Sequence, residues 1–191
     1  SYEFNDYQLD SHINEKGLHC YLFTPLKGDF PAQLVFRGTD DTDSLIRDVL
    51  DPKGIGKTVF DEYKNKIAKI IENYCNETKN PSLEIIGHSL GGLDAQRATA
   101  LCLELFNQEN NNGPISRLSR INCFAFCSPK LDQATIKLWE EQVDILKNHP
   151  SSLQIGLNFG YHKNDMVTQI GFKNLYTKEG LNFLHENHLQ V

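Results

Sequence analysis

Apolar residues recur along this chain with two alternating periods, and the switches between them outline a series of strands and helices. In Leu18-His19-Cys20-Tyr21-Leu22-Phe23 the alternation predicts an antiparallel strand. Gln33-Leu34-Val35-Phe36 is a short apolar run that stops at Arg37-Gly38-Thr39, which predicts a buried strand and then a turn. Between about Thr58 and Thr78, Val59, Tyr63, Ile67, Ile70, Ile71 and Tyr74 fall at helical spacing, and Pro81 prevents the helix from continuing. Leu83 to Ile86 then reads as a strand, and the Ala- and Leu-rich stretch from Leu90 to Phe106 as a helix. The same reading gives a strand at Ile121 to Phe126, a helix at Gln133 to Leu146 and a strand at Leu153 to Phe159. Two last strands, Phe172 to Tyr176 and Leu181 to Leu184, are expected on either side of the turn Thr177-Lys178-Glu179-Gly180.

Strands that alternate with helices of this length imply an α/β fold, a mostly parallel central sheet with helices on both faces. In such a sheet the ligand site lies at the carboxyl ends of the strands. The 191 residues suit a single domain, residues 1–191, and the start at Ser1 without an initiator Met suits a domain excised from a longer protein. The start is acidic and polar, unlike a secretory signal, and no apolar run approaches the roughly 18 residues needed to span a bilayer. A net charge of −6 argues against a nucleic-acid partner and against long residence on an anionic membrane, leaving at most transient contact with a membrane surface. Five cysteines, an odd number placed mostly in apolar stretches, read as free thiols of a reducing, cytoplasmic compartment. Export without a cleaved signal peptide, as for a bacterial effector, is the alternative. No cofactor is expected, and Cys123 and Cys127 have no partners at metal-ligand spacing.

The chemistry is concentrated at Gly87-His88-Ser89-Leu90-Gly91. This is G-x-S-x-G between a strand and a helix, the nucleophile elbow of the α/β-hydrolase fold. The chain must reverse there within a few residues, so Ser89 is strained and exposed while glycines at 87 and 91 let strand and helix pass closely. The competing reading is a serine that merely caps a helix. A serine hydroxyl needs a base, and the base needs an orienting acid. In this topology the chain order is Ser, acid, His. Asp165 follows the next-to-last core strand and is the acid of choice; Asp132 and Asp144, at or within a helix, are poorer. The base must come later, which leaves His185 and His188; His12, His19, His149 and His162 precede the acid.

Taken together, three motifs resemble the class 3 lipases, the fungal triacylglycerol-lipase type of α/β-hydrolase, over roughly Leu18 to Val191. They are Phe36-Arg37-Gly38-Thr39, similar to that family's oxyanion strand; Gly87-His88-Ser89-Leu90-Gly91-Gly92, its elbow; and Asn164-Asp165-Met166-Val167, its acid loop. The resemblance implies a serine hydrolase of carboxylic esters, with lipid or smaller esters as substrate. It implies oxyanion donors at Thr39 and Leu90, with Asp48 steadying Thr39, and a buried structural ion pair at Arg37. It favours His188, on a loop leading into an apolar segment, over its rival His185. The chain departs from the family pattern in Thr168 for the acid loop's Pro, Asp94 for a small residue after the elbow, and Leu45 for Trp. The stretch Asp40 to Arg47, where the family's lid belongs, is short, acidic and only modestly apolar, so a smaller ester or a phospholipid fits as well as a triglyceride. A thioesterase, an acyltransferase and a non-catalytic hydrolase-fold interaction domain are the alternatives. Lys53-Gly54-Ile55-Gly56-Lys57-Thr58 looks in part like a phosphate-binding loop, but Asp51 stands where that loop needs its first glycine.

Overall fold

The computed structural model describes residues 3–4, 6–15, 17–38, 50–109, 112–149, 151–161, 175 and 183–190, with the main chain alone at 3–4, 161 and 183–190. Its strands are β1 (Glu3–Phe4), β2 (Tyr7–Glu15), β3 (Leu18–Pro25), β4 (Ala32–Arg37), β5 (Ser82–His88), β6 (Arg120–Phe126), β7 (Gln154–Tyr161) and β8 (Phe183–Gln190). Its helices are α1 (Lys57–Glu77), α2 (Leu90–Gln108) and α3 (Gln133–Asn148), with a short 3-10 turn at Ile115–Arg117. The strands lie side by side in sequence order. From β1 to β4 neighbours are antiparallel, and from β4 to β8 they are parallel, as βαβ crossovers require.

This is the mostly parallel α/β sheet that the periodicity predicts. The described helices, however, stand against one face. A sheet whose parallel strands follow one another in order, joined by right-handed crossovers, puts every crossing helix on the same side. The burial pattern records it: Ala32, Leu34 and Phe36 of β4, Leu83, Ile85 and Gly87 of β5, and Ile121, Cys123 and Ala125 of β6 are buried, while the residues between them are only partly so. Thr99 of α2 neighbours the Cys123 thiol, which marks the buried set as the helix side.

Helix α2 lies at the centre of this layer, touching β4, β5 and β6 below and α1 and α3 on either side. Such a helix must be apolar nearly all round, and fourteen of its residues from Leu90 to Phe106 are buried. Helix α1 is amphipathic and turns Phe60, Ile67, Ile70, Ile71, Tyr74 and Cys75 inward. The thiols of Cys20, Cys75, Cys102 and Cys123 are buried with them, and all five cysteines are free. Burial pushes these four up, Cys75 and Cys123 to about 12, so they are protonated, unreactive packing groups at neutral pH.

Candidate active site

Ser89 joins the end of β5 to the start of α2, and its backbone is at φ 55, ψ −127. A side chain there is strained, and such conformations persist where the surroundings over-determine them. The Ser89 N–H donates to the Phe126 carbonyl (2.9 Å) and the Ser89 carbonyl accepts from the Gly92 N–H (2.9 Å), so the elbow is tied both to β6 and to its own helix. The hydroxyl makes no capping bond to the helix, which removes the capping role as its explanation.

The two glycines answer the geometry. A methyl group at Gly87 would come within 2.0 Å of the Gly91 carbonyl oxygen, and one at Gly91 within 2.4 Å of the Phe36 carbonyl oxygen. Backbone against backbone cannot yield, so helix, elbow and β4 meet only if both positions lack Cβ. The end of β4 is thereby brought to the nucleophile: a methyl added to Gly38 would lie 3.0 Å from the His88 carbonyl oxygen and 3.6 Å from the Ser89 Cβ. Leu90 opens α2, where first-turn N–H groups have no partner inside the helix and the helix dipole is positive. Among the described residues, then, the structure brings together Ser89, Leu90 and the main chain leading into Thr39.

Thr39, Asp48 and Asp165 lie outside the described residues, as does the stretch from Asp40 to Arg47. His185 and His188 are described by main chain only, and both lie in β8. The expected strand Leu181 to Leu184 with a histidine-bearing loop after it is thus displaced: the strand starts at Phe183 and runs through His-Glu-Asn-His. The run of four polar residues hid it, and an edge strand, paired on one side to β7 alone, tolerates such a run. His188 is level with Phe159.

Among the described residues, the other candidate carboxylates and histidines lie elsewhere or have partners of their own. Asp132 caps α3, accepting the Thr135 N–H at 2.9 Å, and Asp144 is exposed on that helix. His12 stacks on Tyr21 at 6.4 Å, His19 bonds Asn14 at 2.6 Å, and His149 ends α3, at the sheet end remote from Ser89. A surface cavity of about 350 Å³ lined by Thr24, Phe30, Tyr74, Glu77 and Lys79 is also at that remote end, where β5 begins rather than ends. The glycine-rich turn before α1 holds no phosphate cradle: the Asp51 carboxylate fills it, accepting the Thr58 N–H (2.6 Å), the Lys53 N–H (2.9 Å) and the Thr58 hydroxyl (3.0 Å). Burial opposes the charge there, but these bonds outweigh it and hold the Asp51 carboxyl below the usual range.

Among the described residues the buried arginine is Arg97, and Arg37 is exposed. Arg37 is the tip of β4, after the last buried residue Phe36, and it borders a small cleft with Ile55, Leu90, Asp94 and Arg97. Arg97, on α2, is 2% exposed; it forks onto Asp132 through Nε and Nη2 (both 3.1 Å), reaches Asp94 (3.3 Å) and donates to the Ile55 carbonyl (2.7 Å) above the Phe60 ring. This accounts for Asp94 after the elbow: it is a partner for Arg97, three residues on. The i, i+3 spacing was visible in the sequence, but nothing there indicates Asp132, 35 residues away. Removing one member of a buried, bidentate pair strands the other's charge and costs about 3–5 kcal/mol. Asp132→Ala, which also loses the helix cap, is expected to lower unfolding free energy by at least that much in urea denaturation; a loss under about 1 kcal/mol would show that the pair is solvated.

Comparisons with known proteins fit this geometry. The family model for lipase (class 3) matches residues 33–174. A search of the curated proteins gave no match. Among solved structures, the lipase from Rhizopus microsporus var. chinensis is 15% identical with a TM-score of 0.57, over 86% of this chain and 56% of that one. The Rhizomucor miehei triacylglyceride lipase is 16% identical with a TM-score of 0.55, over 85% and 60%. A fungal lipase–inhibitor complex described as a model for interfacial activation gives 16% and 0.54 over the same shares. The chain spans 56–60% of the length of these lipases, and at this identity they speak for the fold. With the elbow placed on that fold and the family model running from β4 past the region of the acid loop, the chain belongs to the class 3 lipases.

Proposed function

We propose that this chain hydrolyses carboxylic esters, of lipids or of smaller acyl groups, through an acyl-Ser89 intermediate. The observation that carries the proposal is the Ser89 backbone itself, a strained non-glycine residue held between β5 and α2 by the Phe126 carbonyl. In the reaction His188 takes the hydroxyl proton as Ser89 Oγ attacks the ester carbonyl, and Asp165 holds the imidazolium. The oxyanion is received by the N–H groups of Leu90 and Thr39, with Asp48 fixing Thr39. Collapse expels the alcohol, protonated by His188; water then repeats the sequence and releases the acid. The positive end of α2 adds to oxyanion stabilisation. Five unpaired cysteines suit action in a reducing compartment such as the cytoplasm.

The test is a panel of p-nitrophenyl esters of graded acyl length, with a phospholipid and an acyl thioester alongside. Short and medium esters are expected to be cleaved. Since the segment Asp40 to Arg47 is short and acidic, rates are expected to cross the substrate's solubility limit without a sharp rise. A many-fold jump at that limit contradicts the expectation that this short, acidic segment makes no lid. Thioester preference moves the enzyme to another acyl transfer, and inertness towards every substrate rejects hydrolysis.

A further inference from the structure

Gln96 follows Ser89 by seven residues, two turns into α2, the most buried of the described helices, and none of its surface is exposed. An amide in such a place costs free energy unless its groups are bonded. Its Nε2 donates to Ser128 Oγ (3.1 Å), and its Oε1 accepts the main-chain N–H of Leu175 (3.1 Å). Ser128 lies two residues after Phe126, whose carbonyl holds Ser89, and passes its own proton to the Pro129 carbonyl (2.8 Å). Leu175 is itself buried, 1% exposed, although it belongs to no helix or strand. In the chain it stands ten residues after Asp165 and ten before His185. One side chain therefore bonds, from the nucleophile's own helix, both the loop after β6 and the connection that runs from the acid to the base.

We infer that Gln96 is a positioning residue for ester hydrolysis, holding the acid–base segment in register with the nucleophile elbow through the Leu175 N–H. The inference rests on the hydrolase reading above. Gln96 touches no substrate; its effect passes through the main chain, where a displacement of about 1 Å can cost on the order of 100-fold in rate. The nitrogen donates and the oxygen accepts, so an apolar side chain of the same volume cannot replace the amide.

Two variants test it on p-nitrophenyl butyrate. In Gln96→Met, volume is kept and the bonds to Ser128 and Leu175 are lost: kcat is expected to fall about 10- to 100-fold with KM little changed, and the Leu175 amide to exchange faster with deuterium. A wild-type kcat in the folded variant, or unchanged exchange at Leu175, overturns the inference. Gln96→Glu tests it independently, including where the Met variant fails to fold. A buried carboxyl titrates above its usual range. When protonated it mimics the amide, donating O–H to Ser128 and accepting from Leu175; as a carboxylate it offers Ser128 no donor. The ratio of its kcat to the wild-type kcat is therefore expected to rise as pH falls from about 9 to about 5, and a flat ratio counts against the role. If wild-type protein cleaves no ester, it is the hydrolase reading that fails, and that result stands apart from an active enzyme indifferent to Gln96.

Discussion

Replacing Ser89 with alanine is expected to lower turnover of a short p-nitrophenyl ester by about 10⁶-fold, the scale of losing a triad nucleophile, while the protein melts close to the wild-type temperature. The fold is spared because the hydroxyl makes no capping bond, and what holds residue 89 in place is its N–H on the Phe126 carbonyl. Wild-type protein should take up a fluorophosphonate at Ser89, located by mass spectrometry of the peptide, and the variant should take up none. A second substitution separates catalysis from strain. Ser89→Gly is equally inactive but relieves a backbone at φ 55, so it is expected to be more stable than Ser89→Ala by about 1 kcal/mol. Retained activity above a few per cent in either variant would overturn the assignment, and a glycine variant no more stable than the alanine one would show that the elbow is not strained.

The elements around Ser89 were legible because each is decided by local pattern. The strands β3 to β7 carry an unbroken buried alternate set, and α1 and α2 are long, capped by glycine or by the elbow and free of internal Pro. Where pattern and environment part, the reading failed. Strand β2 escaped notice because Ser11 interrupts its apolar alternation and a bulge between Leu9 and Ser11 shifts the register. The polar run hides the length of β8, and at Arg37 a strand's exposed tip looks like its interior in one dimension. Leu175 was expected in a strand from Phe172 to Tyr176; it lies in none, and the rest of that stretch is outside the described residues.

The elbow was more legible than what supports it. G-x-S-x-G is a local answer to a local geometry, so five consecutive residues disclose it. The supporting bonds of Arg97 and Gln96 join positions 35, 42, 32 and 79 residues apart. Pairings at such separations leave no periodic trace in one sequence. A buried Gln-Arg pair in an otherwise apolar helix is the one sign they give: two costly side chains side by side must have partners.

Register favours His188 over His185 as the base, and this choice carries the other large expected effect. Across the parallel strands His88 is level with Phe126, Phe126 with Gly160, and Gly160 with Leu189, so His188 stands one residue below the level of the elbow strand's end. Between Ile155 and Leu157 the pairing of β7 with β8 is irregular, and His185 falls in that stretch, beside Gly156. Gly156 is level with Asn122 and through it with Glu84, in the middle of the sheet. His185 is thus about 10 Å lower than His188 along the strand. Three strand spacings of about 4.8 Å separate β5 from β8, so a base on β8 has to act across the carboxyl ends of β6 and β7. A residue near that edge can do so, whereas one at mid-sheet has two strands in its way. His188→Ala is therefore expected to lose on the order of 10⁴- to 10⁶-fold in kcat on the same ester, and His185→Ala to stay within about tenfold of wild type. The kcat of each folded variant, with added imidazole as a rescue for the lost base, decides between them. Loss in His185→Ala with activity kept in His188→Ala would reverse the assignment, and activity kept in both would mean that neither histidine of β8 serves Ser89.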